Sequence, residues 1–430
     1  MLIASIGFAV LFLLALAGLP LGFAMAAVGL LGFAWFRGFE PALAMAAQQV
    51  VDLGMNYGLS VIPLFVLMGS FIFKAGVADE LFGTAQRWFG GLRGGLAHAS
   101  LGACAGFGAV CGSSLATAAT MTRVAVPEMR RHGYDPAFAG ATIAAGGTIG
   151  ILIPPSVPMV IYGILTETDI GKLFAAGVIP GLLLTALYMA NVWVKARFQP
   201  ALMGTRTSAS WGERLVALRG ILPTLLLFLF VFGGLYVGVF TPTESAGVGS
   251  VGALLIMALR RRATLKAMRE ALQESVDITA ILLPVTIGAA IFTNFLTMTG
   301  LTQQAADWVQ SLHMSPVGVV LLMCGVYIAL GCVFDGLAMI FLTIPVFFPI
   351  VVGLGLDPIW FGVIVVIVVE MGLITPPMGM NVFVVKGLLP EVGTWRMFAS
   401  IGGFVVAATI CLLLVIWLPQ LSLWLPSMMR

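Results

Sequence analysis

Apolar stretches of 17 or more residues recur from one end of this 430-residue chain to the other. Each is long enough to cross the hydrocarbon core of a bilayer as a helix. Hydrocarbon admits only segments that satisfy their own backbone hydrogen bonds, so the expected class is all-α and polytopic. Composition agrees: 60% of the residues are hydrophobic and 9% charged, against about 25% charged in an ordinary soluble chain. Expected spans are 2–18, 21–36, 56–73, 137–163, 173–194, 221–240, 243–259, 277–298, 359–385 and 398–418. The first lacks a basic leader and reads as a helix rather than a cleaved signal. Stretches 98–129 and 316–352 are too long for one crossing and are interrupted by CGSS and FDG. Both are expected to be hairpins that enter and leave on one face.

Basic residues orient these spans. With the hairpins so placed, 17 of the 21 Lys and Arg residues fall on one side: Lys74, Arg87, Arg93, Arg130, Arg131, the clusters Lys195 to Arg219 and Arg260 to Arg269, Lys386 and Arg396. Arg37, Lys172 and Arg430 fall on the other, and Arg123 lies inside a hairpin. Positive residues mark the cytoplasm, so both termini are expected outside. Because the charges are sorted by loop, the net +3 points to no acidic partner, and nucleic acid is excluded. The five cysteines (Cys104, Cys111, Cys324, Cys332 and Cys411) sit in apolar segments without metal-type spacing and read as packing residues. With scattered histidines, no phosphate-binding glycine loop and no nucleophile elbow, the chain is not expected to be an enzyme or to hold an organic cofactor.

Two spans carry adjacent prolines, in GILIPPSVPMVIYG (150–163) and GLITPPMGMNVFVV (372–385). A shift of 222 residues superposes them. Gly150 and Pro154-Pro155 then fall on Gly372 and Pro376-Pro377, Asp135-Pro136 on Asp357-Pro358, and Pro20 on Pro242. Between 104–163 and 326–385, 12 of 60 positions are identical without a gap. The loops invert: RRHGYDP after the first hairpin is basic, whereas GLGLDP after the second is not. The expected domains are therefore two inverted copies, 1–210 and 211–430. Each has a polar-flecked segment, 40–55 or 262–276, able to lie along the interface as an amphipathic helix.

Inverted repeats with matching interrupted helices point to a secondary transporter whose site lies at the midplane. A broken helix bares N–H groups at one end and carbonyls at the other, which attract anions and cations respectively. Four such breaks are expected to converge: the tips Gly112-Ser113-Ser114 and Phe334-Asp335-Gly336, and the unwound segments 150–158 and 372–380. Carbonyls freed by Pro154, Pro155, Pro376 and Pro377 suit a hard cation such as Na⁺. Thr148, Ser113, Ser114, Ser156, Thr375 and Asn381 supply further oxygens, and duplication implies two cation sites flanking the substrate. Ser113, Ser114 and Asp335 are equally readable as helix caps. Glu370 is either a functional intramembrane acid or the partner of Arg123. Glu244 reads as a cap at an outer turn.

Five segments together closely resemble the large membrane subunit of TRAP transporters, the tripartite ATP-independent periplasmic transporters, of DctM type. They are PLFVLMG (63–69), GSSLATAATMTRVAVPEMRRHGYDP (112–136), GGTIGILIPPSVPMVIYG (146–163), GGLYVGVFTPTESA (233–246) and GLITPPMGMNVFV (372–384). Many members carry Asp and small residues where Thr117 and Arg123 stand here. The resemblance implies a bacterial inner-membrane, Na⁺-coupled importer of an organic acid, usually a carboxylate. It also implies an elevator in which a transport domain, about 56–194 and 277–418, moves against a scaffold, about 1–55 and 211–276. The implied partners are a small four-helix membrane subunit, expected as a separate chain, and a periplasmic substrate-binding protein. Matching motifs carry Na⁺ binding onto Gly112, Ser113 and Ser114 with Gly147, Thr148, Gly150 and Pro154, and onto Phe334, Asp335 and Gly336 with Gly372, Thr375, Pro376 and Met378. Substrate contacts are expected from Ser114, Pro155, Ser156 and Asn381. The alternative is a stand-alone Na⁺- or H⁺-coupled dicarboxylate transporter of the same architecture.

Overall fold

The computed structural model describes residues 2–301, 303–305, 307, 314–331 and 334–429. Residues 1, 302, 306, 308–313, 332, 333 and 430, Cys332 and Arg430 with them, lie outside the described residues. Among the described residues every regular element is a helix: α1 Leu2–Leu16, α2 Leu21–Arg37, α3 Phe39–Gly54, α4 Val61–Lys74, α5 Val77–Phe89, α6 Gly95–Cys111, α7 Ser114–Arg131, α8 Pro136–Leu152, α9 Val157–Thr166, α10 Ile170–Phe198, α11 Trp211–Tyr236, α12 Pro242–Leu259, α13 Leu265–Met298, α14 Pro316–Leu330, α15 Gly336–Gly353, α16 Pro358–Gly372, α17 Met380–Leu388, α18 Thr394–Trp417 and α19 Gln420–Leu423, with short 3₁₀ turns between. The protein is a multi-pass, all-α membrane protein. Helix boundaries recur at the 222-residue offset, so α6 to α10 line up with α14 to α18 in order.

Local chemistry sets the starts. Asp135 and Asp357 occupy the same place before Pro136 and Pro358. Each accepts hydrogen bonds from the first turn that follows, Asp135 from Phe138 N at 2.9 Å and Asp357 from Ile359 N at 2.7 Å. Proline at the first helical position loses nothing, because its missing N–H is an orphan there. Thr241 and Glu244 form a reciprocal capping box at the head of α12, as Ser210 and Glu213 do for α11.

Three expectations shift. Residues 77–89, left between the expected span 56–73 and the first hairpin, form α5, burying Val77, Ala78 and Phe82 and exposing Asp79 and Arg87, while Glu80 pairs with Arg260. α11 begins at Trp211, about ten residues before the expected 221, because the Ser210–Glu213 box starts it upstream of Arg214 and Arg219. The segments expected separately at 262–276 and 277–298 are one 34-residue helix, α13. In the first copy Gly54 and Gly58 flank Asn56, whose side chain accepts from Gly58 N at 2.8 Å and ends the run. The matching positions, VDITA (276–280), hold no glycine and no asparagine.

The two helices that carry the Gly and Pro signals form the centre. Every residue of α8 from Ala137 to Leu152 is buried, as is every residue of α16 from Trp360 to Gly372. An apolar helix with no polar face belongs inside a bundle. α8 is packed by α6, α7, α10 and α18, and α16 by α14, α15, α18 and α10. The arms cross over reciprocally, α7 against α17 and α15 against α9. Outside this core, α2 and α4 lie on α13, and α12 lies on α4.

Candidate functional site

The first hairpin turns at Gly112, whose φ of 66° is left-handed and favours glycine. Ser113 then caps α7, accepting from Ala116 N at 3.3 Å. A Cβ at Gly112 would lie 2.8 Å from the Pro155 carbonyl, so the tip abuts the first break. There α8 and α9 meet at 40° across residues 153–156, and Ser156 restarts the chain by accepting from Met159 N at 3.3 Å. One arm back, Gly108 and Gly150 touch through their backbones. A Cβ on either would sit 2.2–2.3 Å from the other's Cα.

The second copy repeats these contacts more loosely. A Cβ on Gly331 or Gly372 would lie 2.9–3.1 Å from the other's Cα. Asp335 caps α15, accepting from Ala338 N at 2.9 Å, and is otherwise exposed. Gly336 rests on the Val369 side chain, and the Phe334 ring packs against Phe12 of α1, with centroids 5.4 Å apart. In the second break Thr375 Oγ1 donates to Met371 O at 2.6 Å, and Gly379 is left-handed before α17. Met378 stands 45% exposed. The Pro154-Pro155 and Pro376-Pro377 peptides are both cis.

Asn381 is a buried polar link between the copies. Asn381 donates its backbone N–H to Leu373 O at 3.0 Å and its Nδ2 to Ala144 O at 3.2 Å, tying the second break to α8. A Cβ on Gly147 would meet Ser114 O at 2.8 Å and Asn381 Nδ2 at 3.3 Å. Ser114 also faces Glu370 with its hydroxyl. Thr148 Oγ1 donates to Ala145 O at 2.7 Å and lies 3.1 Å from the Tyr188 hydroxyl. The first tip and both breaks therefore share contacts. Among the described residues the second tip meets α16, Gly336 at Val369 and Gly331 at Gly372.

Arg123 is exposed whereas Glu370 is 2% exposed, and no ion pair links them among the described residues, so the expected alternative pairing is not made. Tyr188, which sequence reasoning did not single out, supplies the hydroxyl beside Thr148; a lone tyrosine in the apolar run 173–194 was the available signal. Glu244 is the capping residue that its turn suggested. Oxygen donors near the breaks fit a hard cation. Among the described residues, Glu370 Oε2, Asn381 Oδ1 and Thr117 Oγ1 are buried without hydrogen-bond partners. Among the described residues no three His, Cys, Asp or Glu side chains gather as a transition-metal site would need.

A family model described as the tripartite ATP-independent periplasmic transporter, DctM component, matches residues 8–421. This chain belongs to the DctM family. The DctM chain is 38% identical, over 93% of its length and 93% of the relative's, to the C4-dicarboxylate TRAP transporter large permease protein DctM of Pseudomonas aeruginosa. It is 33% identical, over 96% of each chain, to the sialic acid TRAP transporter large permease protein SiaM of Vibrio cholerae. Both relatives are permease subunits, not enzymes. Among solved structures, the YdaH transporter of Alcanivorax borkumensis shares the fold, with a TM-score of 0.67, 17% identity and 89% of each chain covered. DctM relatives with different named substrates thus align with nearly the whole of this chain.

Proposed function

We propose that this DctM protein imports an organic acid bearing a carboxylate, driven by Na⁺, across a bacterial inner membrane. A periplasmic binding protein delivers the acid, and a separate small membrane subunit completes the transporter. The observation that carries the reading is the junction of the first hairpin tip with both interrupted helices, where unpaired oxygens gather in the buried core. Ser113, Ser114, Gly147 and Thr148 offer oxygens for one cation, and Asp335, Gly372 and Thr375 for another. Na⁺ bound there would neutralise the anionic cargo. The reciprocal packing of α7 on α17 and α15 on α9 supports two inverted copies.

Helices α6 to α10 and α14 to α18 form the moving body of an elevator in this reading. Its edge lies closer in than 55/56 and 276/277, because α13 is unbroken across 276 and Lys74 and Ser70 tie α4 to it. Two Na⁺ with a monoanion carry one net charge inward, worth about 2.3 kcal/mol per 100 mV before the Na⁺ gradient is added. Accumulating substrate about 100-fold requires roughly 2.7 kcal/mol, at about 1.36 kcal/mol per decade. The drive suffices. Uptake into proteoliposomes containing both membrane subunits, with binding protein added outside, should require an inward Na⁺ gradient. Import unchanged in Na⁺-free medium would remove the Na⁺ assignment, and import without binding protein would favour a stand-alone transporter.

A further inference from the structure

Glu370 is a buried carboxyl in the middle of the core, and its Oε2 has no hydrogen-bond partner among the described residues. Among the described residues, the helices packed on α16 bring no ion-pair partner to it. Tyr162 of α9 is bonded to Pro358 O, Tyr188 of α10 to Thr148, and Tyr327 of α14 to Thr343, while Cys324 and Cys411 are thiols of α14 and α18. Lys172, Lys195, Arg197 and Arg396 stand at the ends of α10 and α18. A buried carboxylate without a counter-charge costs several kcal/mol, so some positive species must satisfy it.

Asn381 has a matching deficit. Its Nδ2 is committed to Ala144 O, which fixes the amide orientation and leaves Oδ1 buried and bare. Its backbone is bonded to Leu373, one helical turn from Glu370. Ser114, at the head of α7, faces Glu370 and approaches Asn381 across Gly147. Two bare acceptors beside one hydroxyl, with no cationic side chain paired to them among the described residues, describe a place for a cation.

We propose that Glu370 and Asn381 form a monovalent-cation site shared between the copies, closed by Ser114 of the first hairpin tip, with Glu370 supplying the compensating charge. The inference rests on the Na⁺-coupled reading above and deepens it. The site crosses from one copy to the other, so its occupancy holds the first tip against the second interrupted helix. This gives the cation a structural grip on the hairpin that the backbone carbonyls of a single break lack.

The test is the melting temperature of the purified full-length chain in detergent, titrated with NaCl against KCl at constant ionic strength. Wild type should show saturable stabilisation by Na⁺. Glu370→Gln, which keeps the shape and removes the charge, should move the midpoint to at least about tenfold higher Na⁺. Asn381→Ala and Ser114→Ala should move it less, and they carry the test if Glu370→Gln does not accumulate. Wild-type midpoints in the variants that accumulate would overturn the shared site and leave Na⁺ coupling standing. Absence of Na⁺ stabilisation in wild type would overturn both, and stabilisation that follows acid pH alone would assign the carboxyl to a proton and overturn the cation site.

Discussion

At the scale of single residues, many of the polar side chains at the breaks are committed to backbone before any ligand arrives. Ser113, Ser156 and Asp335 each accept from an N–H three residues on, as caps do. Ser113→Ala should lower stability by about 1 kcal/mol, and Ser113→Asn should recover most of it, read as melting temperatures in one detergent. If asparagine fails to restore it, capping is not what the hydroxyl contributes. The Gly108–Gly150 contact makes a sharper prediction. Gly150→Ala drives a methyl into backbone and should destabilise by about 1–3 kcal/mol. Gly372→Ala meets its partner at 3.1 Å rather than 2.3 Å, so the same melts should show it as the milder change. Equal effects would mean that the two copies are packed equally tightly.

Among elements, the outer helices are held by long-range charge pairs near the basic helix ends. Arg260, at the end of α12, donates to Ala75 O at 3.3 Å and Gly220 O at 2.8 Å, and pairs with Glu80 at 2.5 Å. One side chain thus joins the end of α4 to α5 and α11. Arg260→Met strands the Glu80 carboxylate and the Ala75 carbonyl at the end of α4, and should destabilise by about 2 kcal/mol. A melt within error of wild type would show that water replaces the guanidinium. These links were invisible in the sequence, because partners such as Arg260 and Glu80 are far apart in the chain. The breaks were legible, because Pro154-Pro155 and Pro376-Pro377 cannot continue a helix and recur at one offset. The hairpin tips were legible for the same kind of reason, in Gly112-Ser113 and Asp335-Gly336. α5 was missed because its charged face outweighed Val77 and Phe82 in a reading tuned to uniformly apolar runs. The Ser114–Glu370 approach was missed because it depends on how the two copies cross, which no local pattern encodes.

For the whole molecule, the decisive question is whether the interrupted helices face both sides of the membrane in turn. The proposed moving core carries Thr375 at the second break, partly exposed, while Val239 sits 67% exposed in the turn before α12, on the proposed scaffold. In a background with all five native cysteines replaced, Thr375→Cys should react with an impermeant maleimide from either face. The balance should shift when Na⁺ and substrate are varied, because both bias the position of the core. Val239→Cys should react from one face under every condition, since a fixed scaffold exposes it to one compartment. Cys104, Cys324 and Cys411 are buried, so replacing them by Ala removes label background at a packing cost that can be checked by melts. Reaction of Thr375→Cys from a single face, unmoved by Na⁺ or substrate, would mean that the core does not travel. The reciprocal packing of hairpins and half-helices would then be a rigid frame, and alternating access would have to come from the tips alone.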